Sequence, residues 1–155
     1  PKVLILDEPT DGLDPNQKQH VRQLILNMAK DKIIIISTHI LEEVSAVCTR
    51  AIIIAHGRLL SDDTPQELLA RSAHHGAVRV VLNHDKTHRD TLEGLEDVER
   101  VDVLDDNALL VVPHRGKALY QTLSSLIREK KWSVSELYAE QGRLDEVFRE
   151  ITQGA

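Results

Sequence analysis

Apolar and polar residues in the first third of the chain follow the pattern of alternating strands and helices. Residues 3–6 and 33–36 are continuously apolar, which is typical of strands buried on both faces of a parallel sheet. Apolar residues between them recur at helical spacing and predict an amphipathic helix over residues 15–30, with Asp14 as its N-cap. A strand, a helix and a second strand at this spacing predict a βαβ unit of a right-handed parallel α/β sheet.

The pattern changes near residues 73–76. Before this point we predict a helix over residues 40–48, two strands joined by a tight turn, and a short helix. After it, residues 78–83 alternate between apolar and polar, as in a sheet with one solvated face. We therefore divide the chain into a domain of residues 1–74 and a domain of residues 75–155.

The second domain is predicted to form its own small sheet. A short polar helix, two strands around a turn at residues 105–107, a helix over residues 115–130 and a strand over residues 132–138 follow the alternating segment. Leu119 and Leu123 belong to the apolar stripe of the longer helix, and an amphipathic helix follows the last strand. The order β-α-β-β-α-β plus a helix predicts a small ferredoxin-like α+β unit.

Charge and composition narrow the range of partners. The chain has 25 acidic and 19 basic residues, a net charge of -6, and therefore no electrostatic footprint for nucleic acid, so we expect no nucleic-acid partner. Its apolar runs are far shorter than the roughly 20 residues that cross a bilayer, so any membrane link comes through a partner. The single cysteine, Cys48, cannot form an intrachain disulfide, which suits a reducing compartment. The chain begins at Pro1, in what looks like the middle of a fold, and we interpret it as a fragment.

Charged side chains follow both predicted parallel strands. Asp7 and Glu8 end the first strand, and His39 follows the second. Because ligands of such sheets bind beyond the carboxyl ends of the strands, we expect these three side chains to lie together at a binding site. Each has a simpler explanation by itself, since an Asp-Glu pair also occurs in solvated turns and a single histidine near a strand end is more often structural.

Three segments in one order are similar to a known family. They are Leu-Ile-Leu-Asp-Glu-Pro-Thr at residues 4–10, Gly-Leu-Asp-Pro at residues 12–15 and Ser-Thr-His at residues 37–39. They resemble the Walker B motif, the D-loop and the switch histidine of ABC ATPases, and most closely those of the transporter branch. The resemblance implies that the first domain is the carboxy-terminal part of the parallel sheet of a P-loop NTPase.

The resemblance also implies roles for four side chains. Asp7 would hold Mg²⁺ directly or through water, and Glu8, held extended by Pro9, would activate the water that attacks the γ-phosphate of ATP. His39 would hydrogen-bond the γ-phosphate and order that water. Asp14 would contact the second ATPase subunit in an ATP-sandwich dimer, although its position also suits a simple helix cap.

Two motifs of the same family are absent from the chain. The phosphate-binding loop, Gly-x-x-x-x-Gly-Lys-Ser/Thr, does not occur, because the only Gly-Lys pair, Gly116-Lys117, is followed by alanine and lacks the earlier glycine. Nothing resembles the Leu-Ser-Gly-Gly-Gln signature. We therefore expect that this chain alone neither binds ATP tightly nor hydrolyses it.

The end of the chain extends the resemblance more loosely. Residues 144–148, Leu-Asp-Glu-Val-Phe, with Ile151-Thr152 are similar to the ending of ATPase subunits of bacterial drug-resistance, sodium-export and gliding-motility exporters. This implies a full protein that binds and hydrolyses ATP as a homodimer and drives export through transmembrane permease subunits, at the cytoplasmic face of the cell membrane. The alternatives are a non-catalytic regulatory or ligand-binding module and a soluble ABC-type ATPase.

The other histidines lack this context. His84 and His88 are four residues apart, with His74 and His75 upstream, so a metal site is conceivable. No cysteine or carboxylate spacing supports such a site, and a solvated polar face is the better interpretation.

Overall fold

The computed structural model describes residues 1–83 and 88–154. The chain divides into two compact units, of which the first contains residues 1–65 with the last residues from Ile151, and the second contains residues 66–150. The elements before the boundary are β1 (Val3–Asp7), α1 (Pro15–Met28), β2 (Ile33–Ser37), α2 (Leu41–Val47), β3 (Ala51–Ala55) and β4 (Arg58–Asp63). Those from the boundary onward are α3 (Pro65–Ala70), β5 (Val78–Leu82), α4 (Arg89–Glu93), β6 (Val98–Val103), β7 (Ala108–Pro113), α5 (Tyr120–Lys130), β8 (Val134–Ala139) and α6 (Leu144–Gln153). No helix within the described ranges is long and apolar enough to cross a membrane.

Strands β1 and β2 form the predicted parallel pair, with α1 as the crossover. Their register aligns Val3 with Ile33 and Asp7 with Ser37, so both strands end at the same edge. The prediction that these strands are buried on both faces is wrong. Every second residue of both strands is exposed, and Ile5 has 73% of its surface in solvent. Among the described residues the two strands pair only with each other, and one face of the pair has no covering layer.

Strands β3 and β4 form a separate antiparallel hairpin. Its turn consists of His56 and Gly57, with φ angles of 52° and 70°. Positive φ at both central residues matches the right-handed twist of the two strands, which is why a histidine-glycine pair serves here. The predicted tight turn between two strands is confirmed.

The second unit is built around a four-stranded antiparallel sheet with the order β6-β7-β5-β8. Helix α4 connects β5 to β6, and α5 connects β7 to β8. One face of the sheet packs against buried side chains of both helices, among them Leu92 and Leu123, and against Leu119 at the N-cap of α5. The alternation predicted for β5 is confirmed, since Val78, Val80 and Leu82 are buried and the residues between them are partly exposed.

Two predictions for this unit are wrong in detail. The sheet does not leave one face solvated along β7, because this interior strand is buried on both faces, with Leu110 and Val112 in a second cluster. The helix predicted from residue 115 begins at Tyr120. Gly116 has a φ of 83°, and Lys117 N donates to His114 O at 3.0 Å, so a turn occupies the segment that the periodicity assigned to the helix.

Candidate functional site

The carboxyl ends of β1 and β2 are tied together by side-chain and backbone hydrogen bonds. Ser37 Oγ donates a hydrogen bond to Asp7 Oδ1, and the two residues are aligned in the strand register. One residue further on, Glu8 N donates to Ser37 O at 2.9 Å. These contacts fix the backbone from which the Asp7 and Glu8 side chains extend.

Glu8 has a left-handed backbone conformation with a φ of 46°. The prediction that Pro9 holds Glu8 extended is therefore wrong. Proline favours an extended backbone at the residue before it, but a turn begins here, in which Asp11 N donates to Glu8 O at 3.2 Å. A left-handed non-glycine residue costs about 1–2 kcal/mol. Strain of this kind is concentrated at functional sites, where it sets a side chain in a required position.

The Glu8 and His39 side chains are in direct contact. His39 Nδ1 lies 2.9 Å from Glu8 Oε1, and the histidine side chain is 70% exposed. The hydrogen bond to Glu8 and the charge of that carboxylate raise the pKa of His39 above its usual range. The second carboxylate oxygen, Glu8 Oε2, is buried and has no hydrogen-bond partner in the described residues. The pair thus combines a histidine whose pKa is raised with a glutamate that has one carboxylate oxygen without a partner in the described residues.

Asp14 lies at the N-terminus of α1 and is not joined to this pair. Its Oδ1 accepts from Gln17 N at 2.9 Å, and Gln17 Oε1 accepts from Asp14 N at 3.2 Å. This reciprocal capping box satisfies two backbone donors of the first helical turn. The helix-cap role considered from the sequence is present, and the role in a dimer stays a prediction.

The donor set at the strand ends suits a hard cation. Asp7 and Ser37 offer carboxylate and hydroxyl oxygens, and Mg²⁺ prefers oxygen ligands while retaining several waters. The described part of the chain contains no group of three or more histidine, cysteine or carboxylate side chains placed to hold a metal. The residues therefore fit Mg²⁺ held by few protein ligands rather than a closed protein cage.

The remaining histidines do not assemble a site in the described residues. His84 lies outside these residues. The prediction of a solvated polar face is wrong for His74, whose side chain is only 15% exposed and whose Nδ1 lies 2.8 Å from Glu146 Oε2. The His88 ring stacks on Trp132 with centroids 3.9 Å apart.

Sequence reasoning missed one buried ion pair beside the candidate site. Arg22 on α1 bonds Glu43 on α2, and Glu43 is 2% exposed. A signal was available, since Glu43 falls on the apolar stripe of its helix between Ile40 and Val47. A carboxylate on a buried stripe requires a partner, but the sequence does not say which of 19 basic residues it is.

Curated proteins similar to this chain are ABC transporter proteins. The Nod factor export ATP-binding protein I of Paraburkholderia xenovorans is 33% identical over 104 residues, which cover 66% of this chain and 34% of that protein. ABC transporter A family member 2 of Arabidopsis thaliana is 28% identical over an alignment that covers 100% of this chain and 17% of that protein. The chain therefore spans only 17% to 34% of the length of these two relatives.

Among solved structures, cbiO1 of Clostridium perfringens, part of the ABC transporter complex cbiONQ, is 40% identical. The match covers 46% of this chain and 29% of that chain, with a TM-score of 0.43. No family model matches the sequence. The relatives nevertheless agree in kind across the whole chain, and this protein is a homologue of the ATP-binding proteins of ABC transporters.

Proposed function

We propose that this chain supplies the magnesium- and water-handling half of an ATP site in the ATPase subunit of an ABC exporter. The single observation that carries the proposal is the contact between Glu8 and His39 at the joined ends of two parallel strands. The order of the three motif segments and the similarity to an export ATP-binding protein support it.

Asp7 and Ser37 are the residues proposed to hold Mg²⁺ at the strand ends. Mg²⁺, when bound, neutralises charge on the β- and γ-phosphate oxygens of ATP. The hydrogen bond from Ser37 orients the Asp7 carboxylate, so one of its oxygens remains free for the cation or for a water of its shell. The in-register alignment of the two residues keeps this geometry rigid.

Glu8 is proposed as the general base, and His39 is proposed to contact both Glu8 and the γ-phosphate of ATP. Oε1 of Glu8 contacts His39, and the Glu8 carboxylate is proposed to accept a proton from the attacking water. Because its pKa is raised, His39 retains its proton to higher pH. With Nδ1–H directed at Glu8, the exposed ring can present Nε2–H to a γ-phosphate oxygen.

Asp14 is proposed to contact the second ATPase subunit of a homodimer. Permease subunits in the membrane are the proposed partners that ATP hydrolysis would drive. The capping box supports the proposed contact of Asp14 with a second subunit, since it holds the D-loop segment in one conformation where that subunit would bind. We propose that the protein acts at the cytoplasmic face of the membrane. Because the chain contains no phosphate-binding loop, we infer that it does not hydrolyse ATP by itself.

Residues 75–155 are proposed to form a ferredoxin-like accessory domain. The succession β5-α4-β6-β7-α5-β8 and the antiparallel order β6-β7-β5-β8 support this. In such a domain the two helices cover one face of the sheet, as Leu92 and Leu123 do here. We infer that the catalytic residues lie in residues 1–74, which contain all the motif segments.

The test uses a chimera. The segment of the Paraburkholderia xenovorans Nod factor export ATP-binding protein I that aligns with this chain is replaced by the aligned residues of this chain, and ATP binding and steady-state hydrolysis are measured. We expect Glu8→Gln to lower kcat by roughly 10²- to 10⁴-fold, the usual contribution of a general base, with ATP binding retained.

Glu42→Gln is the matched control, because Glu42 is an exposed carboxylate on α2 outside the proposed site. It is expected to leave kcat unchanged. A Glu8→Gln chimera that hydrolyses ATP like its parent would remove Glu8 from the mechanism and with it the proposed function.

A further inference from the structure

Arg22 on α1 forms an ion pair with the buried Glu43 on α2. Arg22 Nε lies 3.1 Å from both carboxylate oxygens of Glu43, and Arg22 Nη2 lies 2.6 Å from Glu43 Oε1. The same Nη2 is 3.1 Å from Glu42 Oε1. Several hydrogen bonds from one guanidinium fix the orientation of the two side chains as well as their distance, whereas the ammonium of a lysine would fix only the distance.

The two acidic partners of Arg22 differ in burial. The Glu43 side chain is 3% exposed and that of Arg22 is 16% exposed, whereas Glu42 is 73% exposed. An exposed ion pair contributes little, while removal of one member of a buried pair leaves an uncompensated charge in a poorly solvated place. Of the two contacts of Arg22, the one with Glu43 is therefore the more important for the position of α2 on α1.

Each of these helices begins within two residues of a predicted site residue. Asp14 is the N-cap of α1, and α2 begins two residues after His39, where Ile40 N donates to Thr38 Oγ1 at 3.0 Å. Glu43 also lines a small pocket with Thr10 and Thr38, which belong to the two segments that present Glu8 and His39. A shift of α2 thus moves His39 relative to Glu8.

We propose that Arg22 and Glu43 are positioning residues of the ATPase site, whose buried ion pair sets the distance between His39 and Glu8 by fixing α2 on α1. The inference rests on the proposed function for its catalytic consequence. Its structural basis, the hold of the pair on α2, is measurable without hydrolysis. The pair also joins the helix of the D-loop segment to the helix of the switch histidine, so both segments move as one body.

The first experiment is hydrogen exchange by mass spectrometry on this chain. Glu43→Gln is expected to lower the protection of residues 40–48 by at least about tenfold, because it leaves Arg22 without its buried charge partner. Arg22→Lys, which keeps the charge but loses the planar fork, is expected to give a smaller loss in a folded chain. Glu42→Gln is the matched control and is expected to change nothing. Equal protection in Glu43→Gln and Glu42→Gln would overturn the proposal.

The second experiment measures hydrolysis in the chimera. Glu43→Gln is expected to lower kcat by roughly 10- to 100-fold with an unchanged KM for ATP, as supporting residues of a catalytic group typically do. In a His39→Ala background the same substitution is expected to have no further effect on kcat, because the residue it positions is gone. Additive losses in the double variant would make the pair a general stability element and overturn the positioning role.

The two proposals fail in different ways. Hydrolysis that survives Glu8→Gln overturns the proposed function, whatever Glu43→Gln does. Loss of protection in α2 together with unchanged kcat in the Glu43→Gln chimera overturns the positioning role and leaves the proposed function in place.

Discussion

The two units of the chain each contain a histidine-glutamate pair of similar length in very different surroundings. His39 Nδ1 lies 2.9 Å from Glu8 Oε1 in the first unit, and His74 Nδ1 lies 2.8 Å from Glu146 Oε2 in the second. The His39 side chain is 70% exposed and that of His74 is 15% exposed. Glu146 also accepts hydrogen bonds from Ser72 Oγ and Ala73 N, whereas Glu8 Oε2 has no partner in the described residues.

The contrast separates a structural contact from one suited to chemistry. Both oxygens of Glu146 accept hydrogen bonds within its own unit, which suits a structural role for the pair of His74 and Glu146. The pair of His39 and Glu8 retains an unused acceptor and an exposed ring, and Glu8 has a strained backbone. The sheets differ in the same sense, because β7 is buried on both faces while one face of β1 is exposed.

The largest expected effect compares the two sheets. Leu123→Ala removes a fully buried side chain from the core of the second unit and is expected to lower the free energy of unfolding by about 2–5 kcal/mol. Ile5→Ala changes an exposed residue of β1 and is expected to cost less than about 1 kcal/mol. Urea unfolding followed by circular dichroism measures both variants. Equal losses would mean that the exposed face of β1 is covered in solution.

The next effect concerns Glu146. Glu146→Ala leaves the buried Ser72 hydroxyl without its acceptor and is expected to cost about 1–3 kcal/mol at pH 7. Burial alone would raise the pKa of Glu146, but the hydrogen bonds from His74 and Ser72 outweigh it and lower the pKa below its ordinary 4.5. A lowered folded-state pKa stabilises the fold above the unfolded-state value, and this contribution is lost as pH falls through the folded-state pKa.

The cost of Glu146→Ala is therefore expected to shrink below about pH 4.5, the unfolded-state value. Urea unfolding at pH 7 and at pH 4 measures the change. Glu150→Ala, which removes a carboxylate 3.9 Å from Arg115 at the surface, is the control and is expected to cost little at either pH. A cost of Glu146→Ala that is independent of pH would contradict the assignment.

A substitution at Glu8 is expected to stabilise the fold slightly, in contrast to the two substitutions above. Glycine adopts a φ of 46° without a Cβ clash, so Glu8→Gly is expected to raise the free energy of unfolding by up to about 1 kcal/mol. Asp11→Gly, a substitution in the same turn at a residue without positive φ, is the control and is expected to lower it. Destabilisation by Glu8→Gly would show that Glu8 contributes to the fold rather than being strained for function.

The smallest effect is a change in the ionisation of His39. Its pKa is expected to lie above the ordinary 6.5 and to fall toward that value in Glu8→Gln, because the hydrogen bond and the charge of Glu8 raise it. Two-dimensional NMR of the histidine ring across pH measures the shift. Glu42→Gln is expected to leave it unchanged. An equal pKa in the parent and in Glu8→Gln would contradict the contact.

Most of the local structure and the members of the candidate site follow from the sequence. Parallel strands that end at the same edge place Asp7, Glu8 and His39 together, and Asp14 before Pro15 is a recognisable helix start. The partnership of Arg22 with Glu43 does not follow, because the residues are 21 apart and many basic residues were available. The left-handed backbone of Glu8 does not follow either, because the proline after it favours an extended conformation and the turn from Glu8 to Asp11 overrides that preference.

The sequence by itself determined the periodic elements, the caps and the succession of motif segments, because these depend on residues close along the chain. Only the tertiary structure decided which face of β1 is exposed, which oxygen of Glu8 lacks a partner, and which histidine is locked by Glu146. Burial and pairing depend on segments distant in sequence. The chemical difference between His39 and His74 therefore appears only once the chain has folded around each of them.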